Sequence, residues 1–313
     1  MKKSLPLLAA IPLVAVLAAC GSSTDDGGGN GDTVSVAASF YPFAFVAERV
    51  GGDFVDVDNL TSPGVEPHDL ELKPKQVGTV QDAGLVIYEE HFQAAVDDAV
   101  DQADRSDDDT LDVASVVSLK SRQAGAEEEG HEDEDGHDHG DEDPHTWLDP
   151  QNMIAITQAV AEKLAAIDPD HADEFAANAA ALEAELTTLD TDFSTGLATC
   201  TTRTIVTSHA AFQYLAARYD LTQVPIAGID PSNEPSPSQL ADITTLVRDQ
   251  GITTIFTEEL VSPAIADTIA TETGATTATL DPIEGLSDDT SDQTYLTLMH
   301  KNLTTLTKAN SCS

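Results

Sequence analysis

The chain has 313 residues, and its 56 Asp and Glu against 14 Lys and Arg give a formal net charge of −42. Its 41% of apolar residues can build a hydrophobic core, which excludes wholesale disorder. A charge this negative repels nucleic acid and anionic lipid headgroups, so cations are the ligands that the composition favours.

The N-terminus has the features of a lipoprotein signal peptide. Two lysines precede an apolar run that is too short and too often interrupted by proline to span a membrane comfortably. The run ends in the letters LAAC, which resemble a bacterial lipobox and finish at Cys20. We therefore predict that residues 1–19 are removed, that Cys20 is acylated and that residues 20–32 form a flexible tether. A plain secretory signal with an incidental cysteine is the alternative.

Short β-branched runs alternate with helical stretches from Thr33 onward, and the same alternation returns in the last third of the chain. This pattern predicts an α/β protein with two similar βα lobes and mostly parallel sheets, over residues 33–168 and 199–313. An offset of 169 residues supports an internal duplication, because it aligns Ser39, Phe43, Ala47 and Arg49 with Ser208, Phe212, Ala216 and Arg218.

Residues 169–198 are predicted to form a long, rigid helix that links the two lobes. Apolar residues recur there at alternating steps of four and three, which places them on one face. Ligands of open α/β sheets bind at the carboxyl ends of strands, so we expect one shared site in the cleft between the lobes.

An acidic loop interrupts the first lobe over residues 120–144. Its stretch 127–143 carries eleven carboxylates, three glycines and no basic residue. Such a composition is typical of a solvated, disordered loop. Interleaved imidazoles and carboxylates also suit weak capture of a divalent ion, and we expect that role for His131, His137 and His139.

Four further residues are candidate metal ligands because each follows a predicted strand or adjoins the acidic loop: His68, His145, His209 and Asp281. Each has a structural alternative as a helix cap, a turn residue or a hydrogen-bonded core residue. Two lobes facing each other can bring two such residues from each side together.

Two cysteines remain after the lipobox. In an oxidising compartment, Cys200 and Cys312 favour a disulfide over a thiolate metal site. Such a bond would tie down the C-terminus and mark residues 200–312 as one structural unit.

The order of several motifs resembles the solute-binding lipoproteins of ABC importers for zinc and manganese, and above all the zinc-uptake members. These motifs are SFYPFAF, GVEPHDLELKP, the acidic His-rich loop, PHTWLDP, IVTSHAAFQYLA, IDPSNEPSP, IFTEELVSP and LDPIEGL. The resemblance implies two α/β lobes joined by a long helix, with the metal between them on three histidines and a carboxylate or water. Carried over, the ligands are His68, His145, His209 and Asp281.

The resemblance also bears on the choice of metal. Three imidazoles and one oxygen suit tetrahedral Zn²⁺, whereas the manganese members tend to have Glu where His209 stands. One departure from the family pattern is Pro67 immediately before the first histidine, with Glu66 one step further back. The fourth ligand is therefore Asp281, Glu66 or water, and Glu258 and Glu259 are weaker candidates.

The resulting expectation is a protein that captures zinc and delivers it to the membrane permease of an ABC importer. It is expected to be a monomer, lipid-anchored on the extracytoplasmic face of the cell membrane. The alternatives are a manganese or iron binding protein of the same transporter class, a surface adhesin or zinc store, and a zinc hydrolase. The chain has no HExxH helix pair and no nucleophile motif, so we expect no enzymatic activity.

Overall fold

The first lobe is built on a parallel four-stranded sheet. The structure is a computed structural model that describes residues 33–122 and 142–313. The strands are β1 (Val34–Ala38), β2 (Val55–Asn59), β3 (Leu85–Tyr88) and β4 (Thr110–Asp112), and they lie in the order β2-β1-β3-β4. The helices of this lobe are α1 (Tyr41–Gly51), α2 (Pro74–Asp82) and α3 (Ala94–Ala103).

A short antiparallel pair closes the base of the acidic loop. It joins β5 (Lys120–Ser121) to β6 (Glu142–Asp143). The predicted capture residues His131, His137 and His139 lie outside the described residues, as do the predicted signal peptide, Cys20 and the tether.

Two long helices follow, α4 (Pro150–Ile167) and α5 (Ala172–Gly196). The side chain of Asp149 caps α4 by accepting a hydrogen bond from the N–H of Gln151, and proline occupies the first turn, where no N–H is needed. At 1.5 Å per residue, the 25 residues of α5 extend about 37 Å. The predicted apolar face of this helix is confirmed, since all its members are buried: Phe175, Ala179, Leu182, Leu186, Leu189 and Phe193.

The second lobe repeats the arrangement of the first. Its strands are β7 (Thr204–Thr207), β8 (Thr222–Pro225), β9 (Thr254–Thr257) and β10 (Thr276–Thr279), all parallel. Their order is β10-β9-β7-β8, so in both sheets the first strand lies between the second and the third. The helices are α6 (Gln213–Arg218), α7 (Pro237–Gln250), α8 (Ala264–Thr273) and α9 (Tyr295–Ala309). The predicted α/β class with two similar lobes is thereby confirmed.

One hydrophobic core includes residues of both lobes. It contains Val36 of β1, Ile205 of β7 and the apolar face of α5, which packs against α1 and α4 on one side and α9 on the other. Two smaller cores lie on the outer faces of the sheets, around Ala37 in the first lobe and Val206 in the second. The interior strands β3, β7 and β9 each have three consecutive buried residues, as expected for parallel strands covered on both faces.

A disulfide joins Cys200 to Cys312, as predicted, and fixes the end of α9 to the segment that follows α5. Within residues 33–122 and 142–313, no helix combines the length and the hydropathy that crossing a bilayer requires.

Candidate metal centre

Four side chains meet between the two sheets: His68, His145, His209 and Glu284. Each offers one ligand atom, and these four atoms all lie within 4.8 Å of one another. The side chains are at most 6% exposed. In the described part of the chain, no other group of at least three His, Cys, Asp or Glu residues meets this criterion.

The cluster draws on both lobes. His68 lies in the loop after β2, and His145 directly precedes a short 3-10 helix at the start of α4. His209 follows β7, and Glu284 lies in the loop after β10. Strands therefore deliver three of the four groups from their carboxyl ends, the edge at which open α/β sheets bind ligands.

The carboxylate of Glu284 is the centre of the cluster. Its Oε1 atom lies 3.4 Å from Nε2 of His68, 3.3 Å from Nε2 of His145 and 3.2 Å from Nε2 of His209. The Nε2 atoms of His145 and His209 are 3.2 Å apart. Four-coordinate zinc with bonds of about 2.0–2.1 Å places its ligand atoms about 3.3 Å apart along the edges of a tetrahedron. These four spacings match this figure, and the ligand atom of His68 lies within 4.8 Å of those of the other two histidines. The residues therefore fit a small four-coordinate ion.

Asp281 is not a member of the cluster, although its position in the sequence predicts it there. The side chain is buried, and its Oδ1 atom accepts a hydrogen bond from the N–H of Ile283, 2.8 Å away. Ile283 has a positive φ of 59°, so the chain turns sharply at this point. The carboxylate of Asp281 serves this turn, and the turn places Glu284 at the centre. Glu284 belongs to the same LDPIEGL motif, which is the signal that could have identified it.

The other carboxylates considered as ligands lie around the cluster. Oε2 of Glu66 accepts a hydrogen bond from the backbone N–H of His68 at 3.1 Å. Burial, together with the charge of Glu284, raises the pKa of Glu66 to about 8. Glu258 contacts His209, whereas Glu259 lies apart in an ion pair with Lys301, 3.3 Å away.

Burial and charge act in opposite directions on the three histidines. Burial lowers the pKa of His68 below its usual value. It acts in the same direction on His145 and His209, but contacts with carboxylates outweigh it and raise the pKa of both. For Glu284, burial alone would raise the pKa, but the three imidazoles around it hold the pKa well below the usual range. The metal-free cluster is therefore an anion beside two imidazoles, those of His145 and His209, with a raised affinity for protons, and a divalent cation would compete with those protons.

Aromatic side chains enclose the centre on the side of the first lobe. The ring of Trp147 lies 5.2 Å from that of His145, and the ring of Phe92 lies 4.8 Å from that of His68. The indole N–H of Trp147 donates to the carbonyl of Pro282 at 2.7 Å, and the hydroxyl of Tyr295 donates to the carbonyl of Trp147 at 2.6 Å. The first bond joins the 3-10 helix beside His145 to the loop that carries Glu284, and the second joins it to the start of α9.

Two α/β lobes with a buried site for one divalent ion between them define a metal-binding protein of the solute-capture type. A family model described as "ZnuA: Zinc-uptake complex component A periplasmic" matches residues 36–309. The chain belongs to this family, and the resemblance seen in its motifs is confirmed.

Individual relatives agree with this assignment. The chain is 36% identical over 310 residues to the zinc-binding lipoprotein AdcA of Streptococcus pneumoniae (strain ATCC BAA-255 / R6), covering 98% of this chain and 60% of that protein. It is 35% identical over 299 residues to the high-affinity zinc uptake system protein ZnuA of Bacillus subtilis (strain 168), covering 93% and 92%. The crystal structure of Zn(II)-bound AdcA from Streptococcus pneumoniae superposes with a TM-score of 0.74 at 33% identity, covering 89% of this chain and 58% of that one. The chain thus spans about 60% of the length of the AdcA proteins it matches.

Proposed function

We propose that this protein captures Zn²⁺ outside the cytosol and delivers it to the membrane permease of an ABC importer. The observation that carries the proposal is the buried cluster of three imidazoles and one carboxylate, in which the carboxylate oxygen lies 3.2–3.4 Å from the Nε2 atom of each histidine. Neutral imidazole nitrogens with one oxygen suit zinc, whereas manganese prefers a set richer in oxygen ligands. The names of the zinc-uptake relatives support the same ion.

We assign the ion to His68, His145, His209 and Glu284. A set of four protein ligands favours capture over hydrolysis, because catalytic zinc sites keep one position open for water. The near-complete burial of the four side chains likewise leaves little room for a substrate beside the ion.

The proposal also covers the anchoring of the protein to the membrane and the role of the acidic loop. Acylation at Cys20 would hold it on the extracytoplasmic face of the membrane, and the tether of residues 20–32 would let the folded part move as a monomer. His131, His137 and His139 would bind zinc weakly and raise its local concentration near the buried site.

Metal analysis of the soluble fragment from Gly21 onward, with and without residues 127–143, tests the capture function. We expect one tightly held zinc ion in both forms. Metal that is lost together with the loop would place the tight site in the loop and refute the proposal.

A pair of carboxylate variants tests the ligand set. Glu284→Gln removes the charge at the centre of the cluster, so zinc affinity should fall at least 100-fold in competition with a chelator. Asp281→Asn is the matched control, since asparagine keeps an oxygen that can accept from the N–H of Ile283 and so preserves the turn, while Asp281 is buried and makes no hydrogen bond to a member of the cluster. A loss in the control as large as that in Glu284→Gln would return Asp281 to the ligand set.

A further inference from the structure

Two buried carboxylates lie behind the histidines of the cluster, on the side away from Glu284. Oδ1 of Asp143 is 2.8 Å from Nδ1 of His145 and accepts a hydrogen bond from the backbone N–H of the same residue at 2.9 Å. Oε1 of Glu258 is 2.8 Å from Nδ1 of His209 and accepts from its backbone N–H at 3.1 Å. Each lobe thus supplies one carboxylate that contacts both the ring and the main chain of one histidine.

This contact determines which ring nitrogen carries the proton. An ionised carboxylate only accepts hydrogen bonds, so the Nδ1 atom that faces it must carry the hydrogen. The lone pair of the neutral ring is then on Nε2, the atom that faces Glu284 in both histidines. The second bond, from the backbone N–H, fixes the carboxylate relative to the main chain and so limits rotation of the ring.

The fold holds both carboxylates in place. Glu258 directly follows β9, which lies next to β7 in the sheet, so its side chain reaches His209 from the neighbouring strand. Asp143 belongs to β6, and its carbonyl oxygen accepts a hydrogen bond from the hydroxyl of Tyr214 in α6 at 2.8 Å. The same hydroxyl accepts from the N–H of Lys120 in β5 at 2.9 Å, which secures the base of the acidic loop.

We propose that Asp143 and Glu258 are positioning residues that set the tautomer and orientation of His145 and His209 and thereby the zinc affinity of the site. The inference rests on the proposed zinc-binding function. Carboxylates that orient a ligating histidine also make it a stronger donor, and their loss typically lowers metal affinity about 10–100-fold.

Adjacent residues provide matched variants. Glu258→Gln keeps the shape of the side chain, but it removes the charge and adds an amide N–H₂ group that can donate to Nδ1 and select the wrong tautomer. Glu259→Gln makes the same change one residue away, where the side chain is paired with Lys301. Asp143→Asn and the exposed Glu142→Gln form the corresponding pair in the first lobe.

Chelator competition on the zinc-loaded proteins is the affinity measurement. We expect Glu258→Gln and Asp143→Asn each to lose about 10–100-fold in zinc affinity. Glu259→Gln and Glu142→Gln should stay within about twofold of the unaltered protein. Equal affinities within each pair, with tight zinc binding by the unaltered protein, would overturn the inference and leave the proposed function intact. Absence of zinc binding by the unaltered protein would refute the proposed function itself.

Histidine ¹⁵N NMR of the unaltered, zinc-loaded protein supplies a readout that does not depend on a variant folding. Long-range ¹H–¹⁵N correlations should show a proton on Nδ1 and the metal on Nε2 for both His145 and His209. In Glu258→Gln, the His209 signals should shift or broaden while those of His145 are retained. A metal on Nδ1 of either ring in the unaltered protein would overturn the inference, whatever the variants show.

Discussion

The buried carboxyl group of Asp281 makes the stability of the metal-free protein depend on pH. Burial is the largest cause and raises the pKa of Asp281 from 3.8 to about 7, while the hydrogen bond from Ile283 opposes the shift. The folded state therefore holds this proton more tightly than the unfolded chain does. Its contribution to stability is fully present below pH 3.8 and is lost as the pH rises through about 7.

Asp281→Asn removes this titration but keeps an oxygen that can accept from the N–H of Ile283. The pKa of about 7 in the folded state lies about two units above pH 5. Raising the pH from 5 to 8 therefore removes about 3 kcal/mol of the stability that the protonated carboxyl group contributes. The free energy of unfolding of the variant, relative to the unaltered protein, should therefore increase by about 3 kcal/mol over this range. Titrating groups that do not interact with Asp281 are common to both proteins, so their contributions cancel in the difference.

Urea unfolding of the metal-free proteins at the two pH values provides the measurement. The fluorescence of Trp147 is a suitable probe, because this residue is the only tryptophan of the chain and is buried in the folded state. A relative stability that stays constant within about 0.5 kcal/mol between the two pH values would refute the reasoning. Asp281 would then ionise as readily in the folded protein as in the unfolded chain.

Three other outcomes are expected. His209→Ala should weaken zinc binding far more than deletion of residues 127–143, because the imidazole belongs to the buried cluster. Equal losses of zinc affinity in chelator competition would contradict a tight site separate from the loop. Acidification from pH 7 to pH 5 should release zinc, since the ligating imidazoles must be neutral and carboxylate contacts raise the pKa of His145 and His209. A zinc affinity that does not change in titrations across this range would exclude histidine ligation. Replacing Cys200 and Cys312 together by Ser should lower the free energy of unfolding by about 3–5 kcal/mol, because the bond closes a loop of more than one hundred residues. Urea unfolding checks this value, and a zinc stoichiometry that fell with the disulfide would show that the bond also shapes the metal centre.

Local sequence patterns were sufficient for the architecture. The alternation of β-branched runs and helical stretches predicts both parallel sheets, and the four-three spacing from Phe175 to Phe193 predicts the buried face of α5. These features depend on residues close together in the chain, whose periodicity records which face is covered. Three members of the cluster were also predicted, because His68, His145 and His209 lie at strand ends or at the edge of the acidic loop, where sites of this fold are built.

Tertiary structure decided which carboxylate of the LDPIEGL motif meets the three histidines and which carboxylates lie against His145 and His209. LDPIEGL offers two carboxylates three residues apart, and the turn at Ile283 directs Glu284 rather than Asp281 towards the histidines. Glu258 contacts His209 because β9 lies beside β7 in the sheet. The local sequence of a strand does not predict which strand will be its neighbour. Hydrophobic periodicity predicts structure that forms between residues close together in the chain. Contacts between charged groups from distant segments depend on backbone turns and on the order of the strands, so they are determined only in the folded chain.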